Sequence, residues 1–445
     1  MNSTNKEILP QGYRMTELGP LPKEWEIINL DEIIDLKRGI SWRKDEANKK
    51  GNGIPVIGIP NIKENGKIDF IDTYFLTKEI PVDKMLRIND ILFVGSSGSI
   101  KNIGRNVLIR EIQKNKFTYA SFTFLGRVDP LKANSEYIFY LLNSPMVDYN
   151  KYARRASDGK YNFQLTQFKN EQKLPLPPLP EQQKIAAVLS AVQETKDKTQ
   201  ALIDATKALK KSMMKHLFTY GPVSPEETKN VQLKETEIGK VPEDWEVVKL
   251  GEIGEFQYGY TASASREKIG PQFLRITDID LAKSKIEWSD IPYCEISDKD
   301  YLKYRLNDED ILFTRIGATT GKTCIVKNPP KSVFASYLIR YKVDLKKVIP
   351  FFIYYFTTNK KYWDQINASK EGKLKKGVNS SQLKIFDVPL PPLPVQQRIA
   401  SILSAIDAKI EAEENKKQAL EELFKTLLDN LMTAKIRVNT LDVPV

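Results

Sequence analysis

Residues 176–186 read Leu-Pro-Pro-Leu-Pro-Glu-Gln-Gln-Lys-Ile-Ala, and residues 390–400 repeat them as Leu-Pro-Pro-Leu-Pro-Val-Gln-Gln-Arg-Ile-Ala. Upstream, residues 16–26 read Thr-Glu-Leu-Gly-Pro-Leu-Pro-Lys-Glu-Trp-Glu and return at 236–246 as Thr-Glu-Ile-Gly-Lys-Val-Pro-Glu-Asp-Trp-Glu. Between these anchors the two halves share a pattern but few identities. The period is far too long for a solenoid and therefore indicates a duplicated domain. A shared scaffold around divergent interiors predicts two different recognition surfaces in one chain.

The composition predicts a reduced, cytoplasmic protein. The chain has 445 residues, 41% of them apolar, and its two cysteines are Cys294 and Cys324. Two cysteines do not build a disulfide framework, and their surroundings match no zinc-ligand spacing. Residues 1–14 lack the apolar core of a signal peptide, and no run approaches the ~20 apolar residues that span a membrane.

The charge favours a polyanionic partner. Lys plus Arg exceed Asp plus Glu by 68 − 57 = 11, and the sequence pI is near 9.2. Basic proteins gain affinity for nucleic acids through phosphate contacts and counterion release. Many cytosolic proteins are mildly basic, however, so the charge supports this interpretation without deciding it.

Each half is predicted to be an α+β unit. Short apolar runs bounded by Gly, Pro and Asn predict strands at 54–59, 90–94 and 106–109, with counterparts at 273–276, 310–314 and 323–326. Aromatic-rich stretches predict helices at 136–142 and 350–356. The predicted domains are a first recognition domain at 1–180, a first long helix at 181–220, a linker and second recognition domain at 221–389, and a second long helix with a tail at 390–445.

A long helix is predicted after each Leu-Pro-Pro-Leu-Pro. Proline suits the start of a helix, and neither Pro nor Gly interrupts residues 181–217 or 395–434. Near-heptad apolar spacing predicts an antiparallel coiled coil that relates the two recognition domains by a pseudo-two-fold axis. The alternative is two separate surface helices, each on its own domain. The predicted helix-pair interface consists of Ile185, Val188, Val192, Leu202, Leu209, Met213, Ile399, Ile402, Ile406, Leu420, Leu427 and Leu431.

The length of these helices suggests a ruler. About 37 residues at 1.5 Å each span ~55 Å, which is at most ~16 base pairs of duplex. The bulk of each recognition domain brings the two reading surfaces closer, to about one helical turn of DNA. A split DNA site with an unread spacer fits that arrangement.

The catalytic motifs are incomplete, so we predict no catalytic residue. Residues 317–323, Gly-Ala-Thr-Thr-Gly-Lys-Thr, have three residues between the glycines where a phosphate-binding loop has four. Asn328-Pro329-Pro330-Lys331 resembles the tetrapeptide of DNA amino-methyltransferases but lacks its aromatic residue. His216 is the single histidine, so a hydrolytic triad has no base to recruit near its other members. Asp308 and Asp310 leave a magnesium-dependent nuclease as a minor alternative, and otherwise no metal site is predicted.

The divergent interiors contain the candidate DNA contacts. Arg, Lys, Asn and Gln read base edges, and small hydroxyls contact phosphate. Taken singly, each is more readily explained as a solvated surface group, and only recurrence at equivalent places supports these loops. The candidates in the first half are Arg38, Trp42, Arg43, Lys44, Ser96, Ser97, Ser99, Lys101, Arg105, Arg154, Arg155, Lys160, Tyr161 and Asn162. Those in the second half are Tyr258, Tyr260, Arg266, Arg315, Thr319, Thr320, Lys322, Lys373, Lys375, Lys376 and Asn379.

Together these motifs resemble the specificity subunit of a type I restriction-modification system. The resemblance rests on the paired Pro-x-x-Trp-Glu segments, the paired Leu-Pro-Pro-Leu-Pro-x-Gln-Gln helices and the two Asp-Ile-Leu-Phe strands followed by a glycine loop. It implies a non-catalytic subunit with two target-recognition domains, each reading half of a bipartite DNA sequence. It also implies two methylase subunits that use S-adenosylmethionine, and restriction subunits that use ATP and Mg²⁺. The loop at 95–98 departs from the pattern, because it lacks the Arg and Lys of its counterpart.

Two alternatives remain open from the residues alone. Asn328-Pro329-Pro330 and the nearby carboxylates leave room for a stand-alone methylase or nuclease. The long helices leave room for a structural coiled-coil adaptor without sequence preference in DNA binding.

Overall fold

The computed structural model describes residues 9–63, 66–112, 116–281, 284–370 and 377–438. The chain divides into two compact units. Unit 1 comprises residues 1–199 and 416–445, and unit 2 comprises residues 200–415. Within the described ranges, no helix combines the length and apolar character needed to cross a membrane.

Unit 1 is built from short strands, two short helices and segments of both long helices. Its strands are β1 (Tyr13–Thr16), β2 (Gly19–Pro22), β3 (Glu26–Asn29), β4 (Ile34–Arg38), β5 (Ala47–Asn48), β6 (Ile54–Ile57), β7 (Tyr74–Leu76), β8 (Ile91–Val94), β9 (Ser96–Ser97), β10 (Asn106–Leu108), β11 (Thr118–Tyr119), β12 (Thr123–Val128), β13 (Ala153–Arg155), β14 (Tyr161–Phe163) and β15 (Lys173–Leu176). Its short helices are α1 (Ser135–Leu142) and α2 (Leu165–Glu171), and the first long helix is α3 (Leu179–Tyr220).

Two four-stranded sheets organise unit 1. One has the order β10-β8-β12-β4 and is antiparallel, and the other has the order β11-β6-β7-β5 and includes the parallel pair β6–β11. The strands β3 and β15 pair antiparallel and so join the start of the domain to the segment before α3. Trp25, at the head of β3, is fully buried in the main core.

Unit 2 repeats this plan with two additional helices. Its strands are β16 (Leu233–Lys234), β17 (Val241–Pro242), β18 (Glu246–Lys249), β19 (Gly254–Tyr258), β20 (Gln272–Leu274), β21 (Ile279–Asp280), β22 (Lys285–Ile286), β23 (Ile311–Thr314), β24 (Thr323–Ile325), β25 (Ser332–Phe334), β26 (Leu338–Val343) and β27 (Asp387–Leu390). Its helices are α4 (Asp298–Tyr304), α5 (Pro350–Thr357), α6 (Lys360–Lys370), α7 (Ser380–Lys384) and the second long helix, α8 (Leu393–Met432).

The sheet topology confirms the duplication. The order β19-β26-β23-β24 in unit 2 matches β4-β12-β8-β10 in unit 1, and the parallel pair β20–β25 matches β6–β11. The pair β18–β27 likewise matches β3–β15. The predicted strands and the two predicted aromatic helices are confirmed within a few residues at each end. Both cysteines are buried, free thiols in unit 2.

The repeated glutamine explains the Leu-Pro-Pro-Leu-Pro-x-Gln-Gln motif. In unit 1 the buried Gln182 amide donates to Pro177 O at 2.8 Å, and its Oε1 accepts from Asn134 N at 2.8 Å. In unit 2 Gln396 donates to Pro391 O at 2.8 Å and accepts from Ile349 N at 2.9 Å. Each glutamine therefore ties the proline turn before a long helix to the residue that caps the aromatic helix α1 or α5.

Within each unit the segments of the two long helices run antiparallel. In unit 2 Lys207 pairs with Glu414 at 2.6 Å and Lys210 with Asp407 at 2.5 Å. Residues later in α3 thus lie beside residues earlier in α8, which is the antiparallel arrangement. In unit 1 the Lys196 ammonium lies 4.6 Å from the centre of the Phe424 ring, while Ile185 and Leu431 share one core. The predicted α+β class with two long antiparallel helices is confirmed.

The predicted helix-pair interface is wrong at two positions. Leu202 and Leu209 are 41% and 52% exposed, whereas the neighbouring Ile203 is buried. The prediction used a period of 3.5 residues, but from Ile185 to Ile203 there are 203 − 185 = 18 residues, five turns at 3.6. The buried residues of α3 therefore recur with the period of a straight helix, and towards the C-terminus they no longer coincide with the heptad positions.

The other ten positions are buried or partly buried. Ile185 and Leu431 lie in the unit 1 core with Val188 and Leu427 packed against it. Ile399 lies in the unit 2 core with Met213, Ile402 and Ile406 packed against it. Val192 and Leu420 are half-buried.

Candidate nucleic-acid interface

A small sheet collects six of the predicted residues of unit 1. The strands order as β13-β14-β9, with Arg154 opposite Asn162, Arg155 opposite Tyr161, and Ser97 opposite Tyr161. Residues that are about 60 positions apart in sequence, at 96–97 and 153–162, thus meet in one sheet, with Arg154 and Asn162 on one face and Arg155 and Tyr161 on the other. Arg154, Arg155 and Asn162 are exposed, so the sheet presents two cations and an amide to solvent.

A cleft of about 560 Å³ lies beside this sheet. Among the predicted residues it is lined by Arg38 and Asn162. The Arg38 guanidinium lies 5.8 Å from the centre of the Phe124 ring, another lining residue. None of the lining side chains is a carboxylate, so the wall offers one cation and several amides and hydroxyls to a ligand.

The segment from β9 into the following loop is partly internal. Ser96 is buried, so its side chain does not reach a ligand, and the prediction of a direct contact is wrong for this residue. Ser97 Oγ accepts from Asn102 Nδ2 at 3.1 Å and from Ser99 N at 3.2 Å, which shapes the loop. Lys101 is exposed, as is Ser99. Arg105 is half-buried and donates to Asn102 Oδ1 at 3.4 Å.

The segment at 42–44 precedes β5 and packs through Trp42. Trp42 is half-buried, with its ring centre 6.3 Å from that of Tyr74, and packs on a small cluster around Val56 and Leu76. Arg43 N donates to Glu46 Oε2 at 2.8 Å, while the Arg43 and Lys44 side chains are exposed. Lys160 is also exposed, with its ammonium 3.6 Å from Asp158.

Unit 2 brings Tyr258, Arg315 and Asn379 together. The Arg315 guanidinium lies 4.9 Å from the centre of the Tyr258 ring, and Arg315 O accepts from Val378 N at 2.9 Å. Ser380, which follows Asn379, donates its backbone amide to Tyr258 Oη at 3.0 Å. Burial alone would raise the Tyr258 pKa, but the hydrogen bonds from Ser380 and the Arg315 charge lower it overall. A polarised phenol, a guanidinium and an amide thus share one surface.

The glycine loop of unit 2 joins two antiparallel strands, β23 and β24, and so is not a phosphate-binding loop. Thr320 is buried and donates to Gly317 O at 2.8 Å, so its predicted DNA contact is wrong. Thr319 O accepts from Thr314 Oγ1, and the Lys322 amide donates to Thr319 O at 2.9 Å. The side chains of Thr319 and Lys322 remain half-exposed.

The remaining predicted residues of unit 2 are dispersed. Tyr260 packs against Tyr304, with ring centres 5.3 Å apart, and contributes to a small core. Arg266 is exposed and pairs with Asp290 at 2.7 Å. Lys373, Lys375 and Lys376 lie outside the described residues.

The repeated aspartates of the two Asp-Ile-Leu-Phe segments are structural. Asp90 accepts two hydrogen bonds from Arg127, at 2.8 and 2.7 Å, and Asp310 pairs with Arg340 at 3.3 Å. Burial raises the pKa of Asp310, while Arg340 and backbone hydrogen bonding act in the opposite direction. In the described part of the chain, no three His, Cys, Asp or Glu side chains are arranged to hold a metal ion.

Sequence reasoning missed several residues at these sites. The cleft of unit 1 is also lined by Phe122, Gln164 and Gln167. Phe122 and its unit 2 counterpart Tyr337 are 59% and 56% exposed, although aromatic residues in apolar runs are usually buried. The signal that would have found them is the repeated Ala-Ser-aromatic triplet at 120–122 and 335–337.

Known proteins share this architecture and sequence. The family model described as the type I restriction modification DNA specificity domain matches twice, at residues 22–207 and 242–422. A Methanocaldococcus jannaschii protein with the provisional name type I restriction enzyme MjaX specificity subunit is 31% identical over 441 residues, which are 97% of this chain and 98% of that protein. The EcoKI specificity subunit of Escherichia coli K12 is 25% identical over 394 residues, covering 86% of this chain and 82% of that protein.

A solved structure shares the fold. The crystal structure of the type I restriction-modification S subunit from M. genitalium covers 92% of this chain and 96% of its own, with a TM-score of 0.60 at 16% identity. Because the specificity-domain model matches both halves and the relative from M. jannaschii aligns over nearly the whole length, the chain belongs to the type I restriction-modification specificity subunit family.

Proposed function

We propose that the chain binds a bipartite double-stranded DNA sequence, with one half-site read by each recognition domain and the long helices setting the unread spacer. It acts as a non-catalytic subunit that recruits two methylase subunits and the restriction subunits. The observation that carries this proposal is the pair of matching scaffolds with unlike surfaces: β4-β12-β8-β10 and β19-β26-β23-β24 have the same order, yet present different side chains.

The surface chemistry supports DNA as the ligand. In unit 1 Arg154, Arg155 and Asn162 project from one small sheet, next to a cleft without a carboxylate in its lining. In unit 2 Arg315 and Asn379 occupy the neighbourhood of Tyr258. Arginine pairs with guanine and asparagine with adenine through two hydrogen bonds each, so the arginines and Asn162 suit base readout in the major groove, whereas Asn379 Oδ1 already accepts from Gln382 N.

A domain exchange tests the assignment of half-sites. Residues 41–170 of unit 1 would be replaced by those of a relative with a different target, and preferred sites selected from random duplexes in the presence of the methylase subunits. We expect one half-site to change and the other to persist. A change in both half-sites would contradict the modular interpretation.

The cofactors are proposed to bind the partner subunits. S-adenosylmethionine would serve the methylase subunits, while ATP and Mg²⁺ would serve the restriction subunits, and this chain would bind none of them. Incubation of the purified chain with DNA and S-adenosylmethionine, or with DNA and Mg²⁺, should give no methylation or cleavage until the partners are added. Turnover by the chain alone would instead support a stand-alone enzyme.

A further inference from the structure

An exposed aromatic residue occupies the same turn in both units. The triplet Ala120-Ser121-Phe122 leads into β12, and Ala335-Ser336-Tyr337 leads into β26, the matching strand. Phe122 and Tyr337 nevertheless expose more than half of their surfaces. Exposing a large aromatic side chain gives up much of the free energy that its burial would contribute. Its recurrence at an equivalent position on two diverged surfaces points to a role in binding.

The same hydrogen bonds hold both turns. Phe122 O accepts from Gly95 N at 2.8 Å, and Tyr337 O accepts from Arg315 N at 3.1 Å. Within each triplet the alanine carbonyl accepts from the amide three residues on, at 2.8 Å in unit 1 and 2.9 Å in unit 2. The aromatic residues are therefore mounted on a fixed backbone and not on a loose loop.

A glycine packs against each turn at very short range. A Cβ atom at Gly39 would lie 2.0 Å from Ala120 O, and one at Gly259 would lie 2.2 Å from Ala335 O. Because these distances are far below van der Waals contact, only glycine allows the end of β4 or β19 to approach the turn. Both units thus use the same device to place the aromatic residue.

The surroundings of Phe122 favour a nucleic acid. Phe122 shares its cleft with Arg38, Asn162, Gln164 and Gln167, and no lining residue is acidic. An aromatic ring flanked by a guanidinium and amides combines an apolar surface for bases or thymine methyl groups with base-edge hydrogen-bonding partners.

In unit 2 the segments bonded to the matching turn also carry a guanidinium and an amide. Tyr337 O is bonded to the amide of Arg315, whose guanidinium stacks on Tyr258. The backbone places the polar residues at matching points: Phe163 N donates to Gly95 O in unit 1, and Val378 N donates to Arg315 O in unit 2, both at 2.9 Å. The next residues along the chain, Gln164 and Asn379, therefore correspond to each other.

We propose that Phe122 and Tyr337 are equivalent base-contacting residues of the two recognition domains, each packing its ring against bases of the half-site that its own unit reads. This inference rests on the proposed function and adds to it two specificity-determining residues that carry no charge. Because an uncharged ring releases no counterions, its loss should lower affinity without changing the salt dependence of binding.

The test compares Phe122→Ala and Tyr337→Ala in the full chain assembled with the methylase subunits. Two exposed leucines provide matched controls, since Leu131 and Leu345 follow the other ends of β12 and β26 and are also exposed. The measurements are affinity for the selected site, affinity for sites altered in one half, the slope of affinity against salt, thermal midpoint and association with the methylase.

We expect each aromatic variant to bind the selected site about 10-fold more weakly, the size of one aromatic–base contact. Phe122→Ala should lose discrimination in one half-site and Tyr337→Ala in the other, while Leu131→Ala and Leu345→Ala match the wild type. The salt slope, thermal midpoint and methylase association should not change.

Three outcomes would overturn the inference. If the wild type is selective and both aromatic variants match it, these residues make no base contact, although the proposed function stands. If the variants lose methylase association instead, the surface is a protein interface. If the wild-type assembly shows no preference for a bipartite site, the proposed function fails and the base-contact assignment fails with it.

Discussion

At the scale of single residues, the two copies of the Leu-Pro-Pro-Leu-Pro-x-Gln-Gln motif differ only at position x, and the contacts of that residue explain the difference. Glu181 of unit 1 is replaced by Val395 in unit 2. Arg437 Nε donates to Glu181 Oε1 at 2.6 Å, and Trp25 Nε1 donates to Glu181 Oε2 at 3.1 Å. The carboxylate of Glu181 thus joins the start of α3 to the segment that follows α8 within unit 1, a contact that Val395 cannot make.

Removing Arg437 should destabilise unit 1 strongly. Arg437→Ala would leave the buried Glu181 carboxylate without its cationic partner, which typically costs 3–5 kcal/mol. Urea unfolding monitored by fluorescence would measure the loss. Arg437→Met combined with Glu181→Val, the residue that unit 2 already uses, should recover part of it. Equal stability of Arg437→Ala and the wild type would show that this ion pair contributes nothing.

The acid side of the stability profile should depend on Glu24. The Glu24 carboxylate accepts hydrogen bonds from its own backbone amide and from Arg437, and these hold the Glu24 pKa below its usual 4.5. A lowered folded-state pKa means that this contribution is present above about pH 4.5 and is lost as the pH falls through the folded-state value. Glu24→Gln should therefore lower the thermal midpoint at pH 7 and have progressively less effect below pH 4.5. A difference that persists unchanged at pH 3 would exclude this linkage.

The two buried glutamines offer a sharper residue-scale comparison. Gln182→Leu leaves Asn134 N and Pro177 O without their partner, and Gln396→Leu does the same to Ile349 N and Pro391 O. Each should cost roughly 1–3 kcal/mol in urea unfolding, because buried polar groups lose their hydrogen bonds. The neighbouring Gln397 is exposed, so Gln397→Leu should stay within about 0.5 kcal/mol of the wild type. If Gln396→Leu and Gln397→Leu have equal effects, the buried bridge is not what stabilises the motif.

At the scale of elements, glycine makes the meeting of strand and turn possible. Gly39→Ala and Gly259→Ala would place a Cβ atom against a backbone carbonyl that has no free direction in which to move. We expect each substitution to lower the free energy of unfolding by about 1–3 kcal/mol, as overpacking does. Each should also weaken DNA binding, because it shifts Phe122 or Tyr337. Gly98→Ala, where a Cβ meets open space, is the control for stability. Wild-type stability and binding in Gly39→Ala would contradict the fixed position of the turn.

The sequence predicted most elements but only part of the candidate site. Strands such as β8 and β23 were predictable because the apolar run Ile-Leu-Phe lies between turn signals in both copies of the repeat. The buried face of α3 was not predictable from heptad spacing. A straight helix packed on a globular core buries residues every 3.6 positions, so a prediction based on 3.5 positions loses the buried face along the helix. Ser96 and Thr320 were misassigned because a buried hydroxyl resembles an exposed one in sequence. Phe122 was missed because apolar composition alone predicts burial.

At the scale of the whole molecule, both long helices continue across the boundary between the units. Unit 1 ends at Thr199 on α3 and resumes at Lys416 on α8, and both points lie well inside a helix. Beyond the first turn, neither Pro nor Gly occurs in either helix. Each residue added to an uninterrupted helix lengthens it by about 1.5 Å. If these helices set the spacer of a bipartite DNA site, lengthening them must increase the number of unread base pairs.

Insertion of four helix-forming residues after Thr199, together with four after Asn415, tests that relation. One added turn is about 6 Å long, so the selected site should gain one to two unread base pairs while both half-sites keep their sequence. Site selection from random duplexes, with the methylase subunits present, would measure the spacer. The same four residues placed between Asn230 and Val231, outside the long helices, should leave it unchanged. An unaltered spacer in the helix variant, with specific binding retained, would show that the helices do not determine the separation of the half-sites.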